Sequence, residues 1–198
     1  MKARSETVAD LEPVFRVASI IPRSEANGPG VRTVVHFGGC TLGCAGCFNP
    51  QLWPLESESY RTIRLGDLVR ELVEHGADFT FSGGEPMQQP LWALLTDLRY
   101  QLRRSGPSFV IYTGYIWDEL TGRRKVAAMM ADALVMGRYN PAKTTDKGFC
   151  SSGNQELRLV SSRYTEEDFK RKVEVIISAN GQRAITGIPT EKLRKDLV

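Results

Sequence analysis

The spacing of hydrophobic residues predicts short strands that alternate with amphipathic helices. Residues 14–21 and 31–37 are rich in β-branched and aromatic residues, and glycine lies on both sides of the second segment. Leucine and valine then recur at helical spacing over residues 65–73 and again over residues 91–102. The first half of the chain therefore predicts two strands followed by two helices, with room for a strand between the helices.

Three further strands are predicted over residues 78–82, 109–113 and 133–136, and glycine follows each of them. A helix is predicted over residues 125–132, between the last two. Alternating strands and helices are typical of a parallel sheet in an α/β protein. Ligands of such sheets gather at the carboxyl ends of the strands, so we expect the loops that follow the strands to share one cleft.

The last fifty residues follow a different pattern. Residues 156–160, 172–178 and 183–188 look extended, and the sequence Ala-Asn-Gly at positions 179–181 carries the signal of a hairpin turn. We interpret this region as an antiparallel cap.

The length of the chain limits the architecture. A complete barrel of eight βα units needs about 250 residues, whereas this chain has 198. We therefore predict a partial, incomplete TIM-like barrel of βα units with a parallel sheet and a C-terminal β-hairpin cap. We expect a single domain over residues 1–198, with its core at about 28–140 and the cap at about 150–190.

Composition and charge exclude several classes of protein. With 41% hydrophobic and 25% charged residues, the chain is ordinary for a globular protein. The net charge is +3, and no run of basic residues is interleaved with aromatic residues, so we expect no nucleic-acid partner. The first eleven residues are polar, and no apolar run approaches the roughly 18 residues that span a bilayer. We expect no membrane association and a cytoplasmic location.

Three of the four cysteines, Cys40, Cys44 and Cys47, fall within eight positions. Such clustering indicates a metal site in a chain without a secretion signal. Cysteine thiolates hold iron-sulfur clusters, and three of them on a four-iron cube leave one iron free to bind a substrate. The alternative is a closed zinc site, completed by a distant fourth ligand such as Cys150 or His36.

The cysteine spacing resembles the signature of the radical S-adenosylmethionine superfamily. Residues 28–32 read Gly-Pro-Gly-Val-Arg before the cluster strand, and residues 48–50 read Phe-Asn-Pro after the third cysteine, which is similar to the glycyl-radical-enzyme activating proteins. Residues 112–115, 152–155 and 186–189 resemble the activating proteins of anaerobic ribonucleoside-triphosphate reductases. The segment Gly-Gly-Glu-Pro at positions 83–86 is specific in combination with the cysteines.

The resemblance implies two cofactors, a [4Fe-4S] cluster and S-adenosyl-L-methionine bound to its fourth iron. The implied metal ligands are Cys40, Cys44 and Cys47. The residues implied to contact S-adenosylmethionine are Gly83, Gly84 and Glu85 at its methionine end and Gly46 and Phe48 at its adenine side.

The resemblance also implies an activity and partners. An enzyme of this kind reductively cleaves S-adenosylmethionine to a 5′-deoxyadenosyl radical and generates a glycyl radical on a partner enzyme, here anaerobic ribonucleotide reductase. Reduced flavodoxin or ferredoxin is the implied electron donor. Two other hypotheses remain from the sequence: a radical enzyme that acts on a small molecule, similar to 7-carboxy-7-deazaguanine synthase, and a zinc or iron-sulfur module without catalysis.

Overall fold

A computed structural model describes residues 12–76, 78–146, 148–177, 183–190 and 193. These residues contain nine strands and three α-helices. In chain order they are β1 (Val14–Ser24), β2 (Arg32–Phe37), β3 (Arg61–Arg64), α1 (Leu65–Val73), β4 (Asp78–Gly83), α2 (Leu91–Gln101), β5 (Ser108–Thr113), α3 (Gly122–Met130), β6 (Ala133–Met136), β7 (Glu156–Leu159), β8 (Val173–Ile177) and β9 (Arg183–Gly187).

Seven strands form one sheet in the order β3-β1-β2-β4-β5-β6-β7. The four central strands β2, β4, β5 and β6 are parallel. The outer pairings, β1 with β2, β1 with β3 and β6 with β7, are antiparallel. The predicted α/β class with a parallel central sheet is therefore confirmed, and the sheet is extended by antiparallel strands on both sides.

The two faces of the sheet differ because side chains alternate along each strand. On β4, Phe79 and Phe81 lie in the large hydrophobic core with Phe37 and with the buried leucines of α1 and α2. The intervening Thr80 hydrogen-bonds to other polar groups, and Ser82 lines a cavity. The helices thus cover one face, which we call the outer face, and the other, inner face is free to carry polar residues.

The C-terminal part of the chain covers the inner face. Phe149, Phe169 and Ile188 pack against Val110 of β5 and Val135 of β6 in a second hydrophobic cluster. Strands β8 and β9 form a separate antiparallel pair, which confirms the predicted β-hairpin cap. The predicted turn at positions 179–181 lies outside the described residues.

Several predicted elements differ from the structure. Residues 156–160 were predicted in the cap, but β7 is an edge strand of the main sheet, where it pairs with β6. Strand β1 is antiparallel to β2 because the seven residues between them are too few for a crossover. Strand β3 was not predicted, since its sequence Arg-Thr-Ile-Arg lacks a hydrophobic run.

The helices show smaller differences. Helix α3 begins three residues before the predicted start and ends at Met130. The basic segment at positions 163–172 contains a 3-10 turn, Glu166–Asp168. Within the described ranges, no helix is long and apolar enough to cross a membrane.

Candidate functional site

The loop that carries the three cysteines follows the carboxyl end of β2. It is closed by the chain that returns after Cys47: the Gly39 N–H donates to the Leu52 carbonyl (2.9 Å), and the Cys40 N–H donates to the Trp53 carbonyl (3.1 Å). Gly46, between the last two cysteines, has a φ of +65°, a left-handed conformation that favours glycine. The backbone therefore fixes both ends of the loop and turns within it.

The end of β4 is bonded directly to the start of this loop. The Gly84 N–H donates to the Phe37 carbonyl (2.7 Å), and the Glu85 N–H donates to the Gly39 carbonyl (2.9 Å). A Cβ atom on Gly84 would lie 2.5 Å from the Gly39 oxygen, so this close approach requires glycine. The structure thus brings together the cysteine loop and the Gly-Gly-Glu segment, as the sheet topology predicts.

The Glu85 side chain is buried, and both of its carboxylate oxygens accept hydrogen bonds. One carboxylate oxygen accepts from the Met87 N–H (2.9 Å) and the Thr113 hydroxyl (2.7 Å), and the other accepts from the Gly114 N–H (2.8 Å). Burial raises the pKa of Glu85 to about 7, although these donors oppose the shift. The carboxylate therefore ties the end of β4 to the end of β5.

All three cysteines line one cavity at the carboxyl ends of the strands, with a volume of about 130 Å³. Its wall also contains residues 82–85 and 112–114. A larger cavity of about 510 Å³ lies on the inner face, between the sheet and β9. We call these the cysteine cavity and the inner cavity. Residues that line both are Phe48, Asn49, Ser82, Tyr112, Tyr139 and Gln155.

The donor set of the cysteine cavity fits an iron-sulfur cluster. Cys40, Cys44 and Cys47 are partly buried free thiols on one loop, and thiolates are the protein ligands of such clusters. Burial raises the pKa of Cys40 and of Cys44, and the nearby Arg138 guanidinium lowers that of Cys44. In the described part of the chain, no three His, Cys, Asp or Glu side chains are already grouped to hold a metal ion. The fit therefore rests on the type and placement of the donors.

Neither fourth ligand considered for zinc reaches the cysteine cavity. His36 lines the inner cavity, its Nδ1 lies 3.0 Å from the Ser19 hydroxyl, and burial lowers its pKa to about 4. Cys150 lines a separate surface pocket beside Phe149 and Phe169. The described residues thus offer a three-thiol site and no closed four-ligand site, which disfavours structural zinc.

The predicted contacts to S-adenosylmethionine fall around the same cavities. Gly83, Gly84 and Glu85 line the cysteine cavity, and Phe48 lines both cavities with its ring centroid 5.1 Å from that of Tyr139. Gly46 lies beside this pair, since a Cβ atom there would be 3.4 Å from the Tyr139 ring. The structure gathers all five residues at one end of the sheet, while their roles stay predictions.

Sequence reasoning missed several residues of the cavity walls. Tyr112 is the penultimate residue of β5, two residues before Gly114, and Tyr139 follows β6, two residues after Gly137. The signal was present, because both tyrosines lie two residues from glycines that mark the carboxyl ends of parallel strands. Gln155 could not be placed in advance, since it reaches the site from the position before β7, where its side-chain amide donates to the Gly137 carbonyl (3.0 Å).

Comparison with known proteins agrees with this geometry. The family described as a 4Fe-4S single cluster domain matches residues 26–158. The chain is 29% identical over 131 residues to the anaerobic ribonucleoside-triphosphate reductase-activating protein of Salmonella typhi, covering 63% of this chain and 85% of that protein. It is 38% identical over 82 residues to the pyruvate formate-lyase-activating enzyme of Clostridium pasteurianum, covering 38% of this chain and 34% of that enzyme.

Among solved structures, QueE from Escherichia coli has a TM-score of 0.44 and 16% identity, covering 62% of this chain and 70% of that chain. The fold assignment above rests on the order and direction of the strands.

The family and the two activating relatives confirm the predicted resemblance and the expectation of an enzyme of this class. They also confirm the predicted cofactors, a [4Fe-4S] cluster and S-adenosylmethionine. The matched range includes the three cysteines, the Gly-Gly-Glu segment and the central parallel strands. The chain therefore belongs to the family of 4Fe-4S single cluster domains.

Proposed function

We propose that this chain is a radical S-adenosylmethionine activase that generates a glycyl radical on a partner enzyme, anaerobic ribonucleotide reductase. The observation that carries the proposal is the placement of three thiols and the Gly-Gly-Glu segment around one cavity that adjoins a larger one. The activating-protein relatives support the choice of a glycyl radical enzyme as partner.

Each part of the site has a role in this proposal. Cys40, Cys44 and Cys47 would hold the cluster and leave one iron for the amine and carboxylate of S-adenosylmethionine. The cluster would supply one electron, which splits S-adenosylmethionine into methionine and a 5′-deoxyadenosyl radical that takes the hydrogen atom from a glycine Cα of the partner. The inner cavity, of about 510 Å³, is large enough to admit that glycine.

The chain itself orients the reactants. The backbone of Gly83 and Gly84 would meet the methionine end, because both residues line the cysteine cavity. The ring of Phe48, packed against Tyr139 near Gly46, offers an apolar surface to the adenine. The Glu85 carboxylate holds the ends of β4 and β5 together. The Glu85 N–H, bonded to the Gly39 carbonyl, keeps these strand ends next to the cysteine loop.

The electron must come from outside the chain, and we propose reduced flavodoxin or ferredoxin as its source. A cytoplasmic location suits the proposal, because partly buried free thiols persist in a reducing compartment.

The test is to mix the reconstituted, cluster-loaded chain with S-adenosylmethionine, a reductant and the large subunit of an anaerobic ribonucleotide reductase. We expect an electron paramagnetic resonance doublet from the glycyl radical and an equal amount of 5′-deoxyadenosine. A subunit with deuterium at the glycine Cα should pass the label to 5′-deoxyadenosine, and a subunit with alanine at that position should give no doublet. Formation of 5′-deoxyadenosine without a doublet would instead favour a small-molecule substrate.

A further inference from the structure

Two buried side-chain polar atoms in the described part of the chain have no hydrogen-bond partner, Trp53 Nε1 and Tyr112 Oη. Both residues line the cysteine cavity. Buried donors are nearly always paired, because leaving one unpaired costs its hydration without a return. Two unpaired donors in the walls of one cavity therefore point to a ligand that completes them.

Tyr112 holds the more informative position of the two. It lies on β5 and lines both the cysteine cavity and the inner cavity, whereas Trp53 lines the cysteine cavity alone among the cavities described. Its ring packs against Phe149, with centroids 6.0 Å apart. The tyrosine therefore lies at the boundary between the two cavities. A ligand that extends from the thiols into the inner cavity would cross this boundary.

The hydroxyl stays protonated at this position. Burial raises the pKa of Tyr112 most, the nearby Cys150 acts in the same direction, and the guanidinium groups of Arg32 and Arg171 act in the opposite direction. A neutral phenol can donate one hydrogen bond to an oxygen or nitrogen acceptor.

We propose that the Tyr112 hydroxyl donates a hydrogen bond to an oxygen atom of S-adenosylmethionine and so positions it across the junction of the two cavities. The inference rests on the proposed function, since it assumes that the cysteine cavity binds this cofactor. S-adenosylmethionine carries acceptor oxygens on its methionine carboxylate and on its ribose. Tyr112 is thus a positioning residue, and it accounts for a buried donor that the protein alone leaves unpaired.

The first test compares Tyr112→Phe with the wild type in binding of labelled S-adenosylmethionine to the oxidised, cluster-loaded protein by anaerobic equilibrium dialysis. We expect a roughly tenfold weaker affinity, which corresponds to loss of one hydrogen bond. The matched control is Tyr60→Phe, because Tyr60 is a buried tyrosine that lines neither cavity and its hydroxyl already donates to the Gln51 carbonyl (3.3 Å). The control should keep its affinity within a factor of about two.

A second ligand locates the acceptor. 5′-Methylthioadenosine lacks the methionine carboxylate, so an equal loss of affinity for both ligands in Tyr112→Phe places the acceptor on the ribose. A loss confined to S-adenosylmethionine places it on the carboxylate.

A second measurement separates positioning from a structural role. In the cluster-free protein, thermal unfolding of Tyr112→Phe should occur at the same temperature as in the wild type or higher, because the variant removes a buried donor without a partner. If the Tyr112 hydroxyl instead made a structural hydrogen bond within the protein, the variant would unfold at a lower temperature than the wild type.

Wild-type affinity in Tyr112→Phe, or a lower unfolding temperature of its cluster-free form, would overturn the inference and leave the proposed function intact. If the wild type itself binds no S-adenosylmethionine, the proposed function fails together with the inference. The two failures are therefore distinguishable.

Discussion

The two ends of the parallel strands differ in whether the chain itself supplies partners for the buried polar groups. At the amino end, the buried guanidinium of Arg32 is enclosed by acceptors from β4, β5 and the C-terminal region. These acceptors are the Pro29, Phe79 and Ser108 carbonyls and the Thr80, Ser108 and Tyr164 hydroxyls. At the carboxyl end, the walls contain three free thiols and two donors without partners.

Within one sheet, the amino end therefore mainly stabilises the fold, and the carboxyl end mainly forms the binding site. The amino end satisfies its buried polar groups with the chain itself, so it can be stable without a ligand. The carboxyl end leaves two buried donors without partners, which costs stability and is typical of a site completed by a bound group. Loss of a thiol at the carboxyl end should therefore impair cofactor binding, and loss of the Arg32 guanidinium at the amino end should impair folding.

The largest expected effect is at the carboxyl end. Cys44→Ser should lose the cluster and reduce S-adenosylmethionine cleavage by at least a hundredfold, because two thiolates cannot hold a four-iron cube. Iron and sulfide analysis after anaerobic reconstitution measures the first effect, and 5′-deoxyadenosine formation measures the second. Cys150→Ser is the matched control, since Cys150 lies outside the cysteine cavity, and loss of the cluster in that variant would contradict the three-thiol site.

At the amino end, Arg32→Met should lower the free energy of unfolding of the cluster-free protein by about 3 to 5 kcal/mol, since several buried acceptors lose their donor at once. Denaturant unfolding measures this effect. The control is Arg104→Met, an exposed arginine, for which we expect a change within about 0.5 kcal/mol. Equal effects in the two variants would show that the amino end is not a structural centre.

Glu85 should give the protein a distinctive dependence of stability on pH. Its folded pKa, about 7, lies above the value of 4.5 for a free glutamate. The native state therefore binds the extra proton, and the contribution to stability is full below pH 4.5 and is lost as the pH rises through 7. The expected size is on the order of 3 kcal/mol.

The measurement is denaturant unfolding of the cluster-free protein between pH 4 and 8, for the wild type and for Glu85→Gln. The variant cannot titrate at this position, so the difference between the two curves should fall with rising pH and level off above about 7. His36, whose pKa is lowered to about 4 by burial, contributes with the opposite sign in both proteins and cancels in the difference. Parallel curves would contradict the assignment.

The smallest effect concerns the contact between β4 and the cysteine loop. Gly84→Ala would place a Cβ atom 2.5 Å from the Gly39 oxygen and 2.8 Å from the Leu52 oxygen. We expect a loss of about 1 to 3 kcal/mol in thermal or denaturant unfolding, because these backbone atoms cannot move aside cheaply. Gly153→Ala is the control, with its nearest atom at 3.7 Å. A Gly84→Ala variant as stable as this control would rule out the close approach.

The sequence predicted much of the fold because the central elements follow simple patterns. Strand β6 has the bounds predicted for it, and α1 begins and ends where its leucines and valines do. The edges of the sheet were less predictable. Strand β3 is short and polar, and the sheet position of β7 depends on packing of Leu157 and Leu159 against the inner face.

The main residues of the site could be predicted from the sequence, but the contacts between them could not. Cysteine spacing and the Gly-Gly-Glu segment indicated the cavity and its ligands. The Thr113 hydroxyl donates to the Glu85 carboxylate, and the Tyr112 hydroxyl has no partner. Both facts depend on how far apart the ends of neighbouring strands lie, and no local sequence pattern encodes that distance.

The central claim is that three thiolates leave one iron open to S-adenosylmethionine. The most direct measurement is hyperfine spectroscopy of the reduced, reconstituted protein with S-adenosylmethionine labelled at the methionine amine and carboxylate. We predict direct coupling of both labels to one iron of a four-iron cluster in the wild type and in Cys150→Ser. Bound zinc in place of iron, or a four-iron cluster to which neither label couples, would contradict the claim.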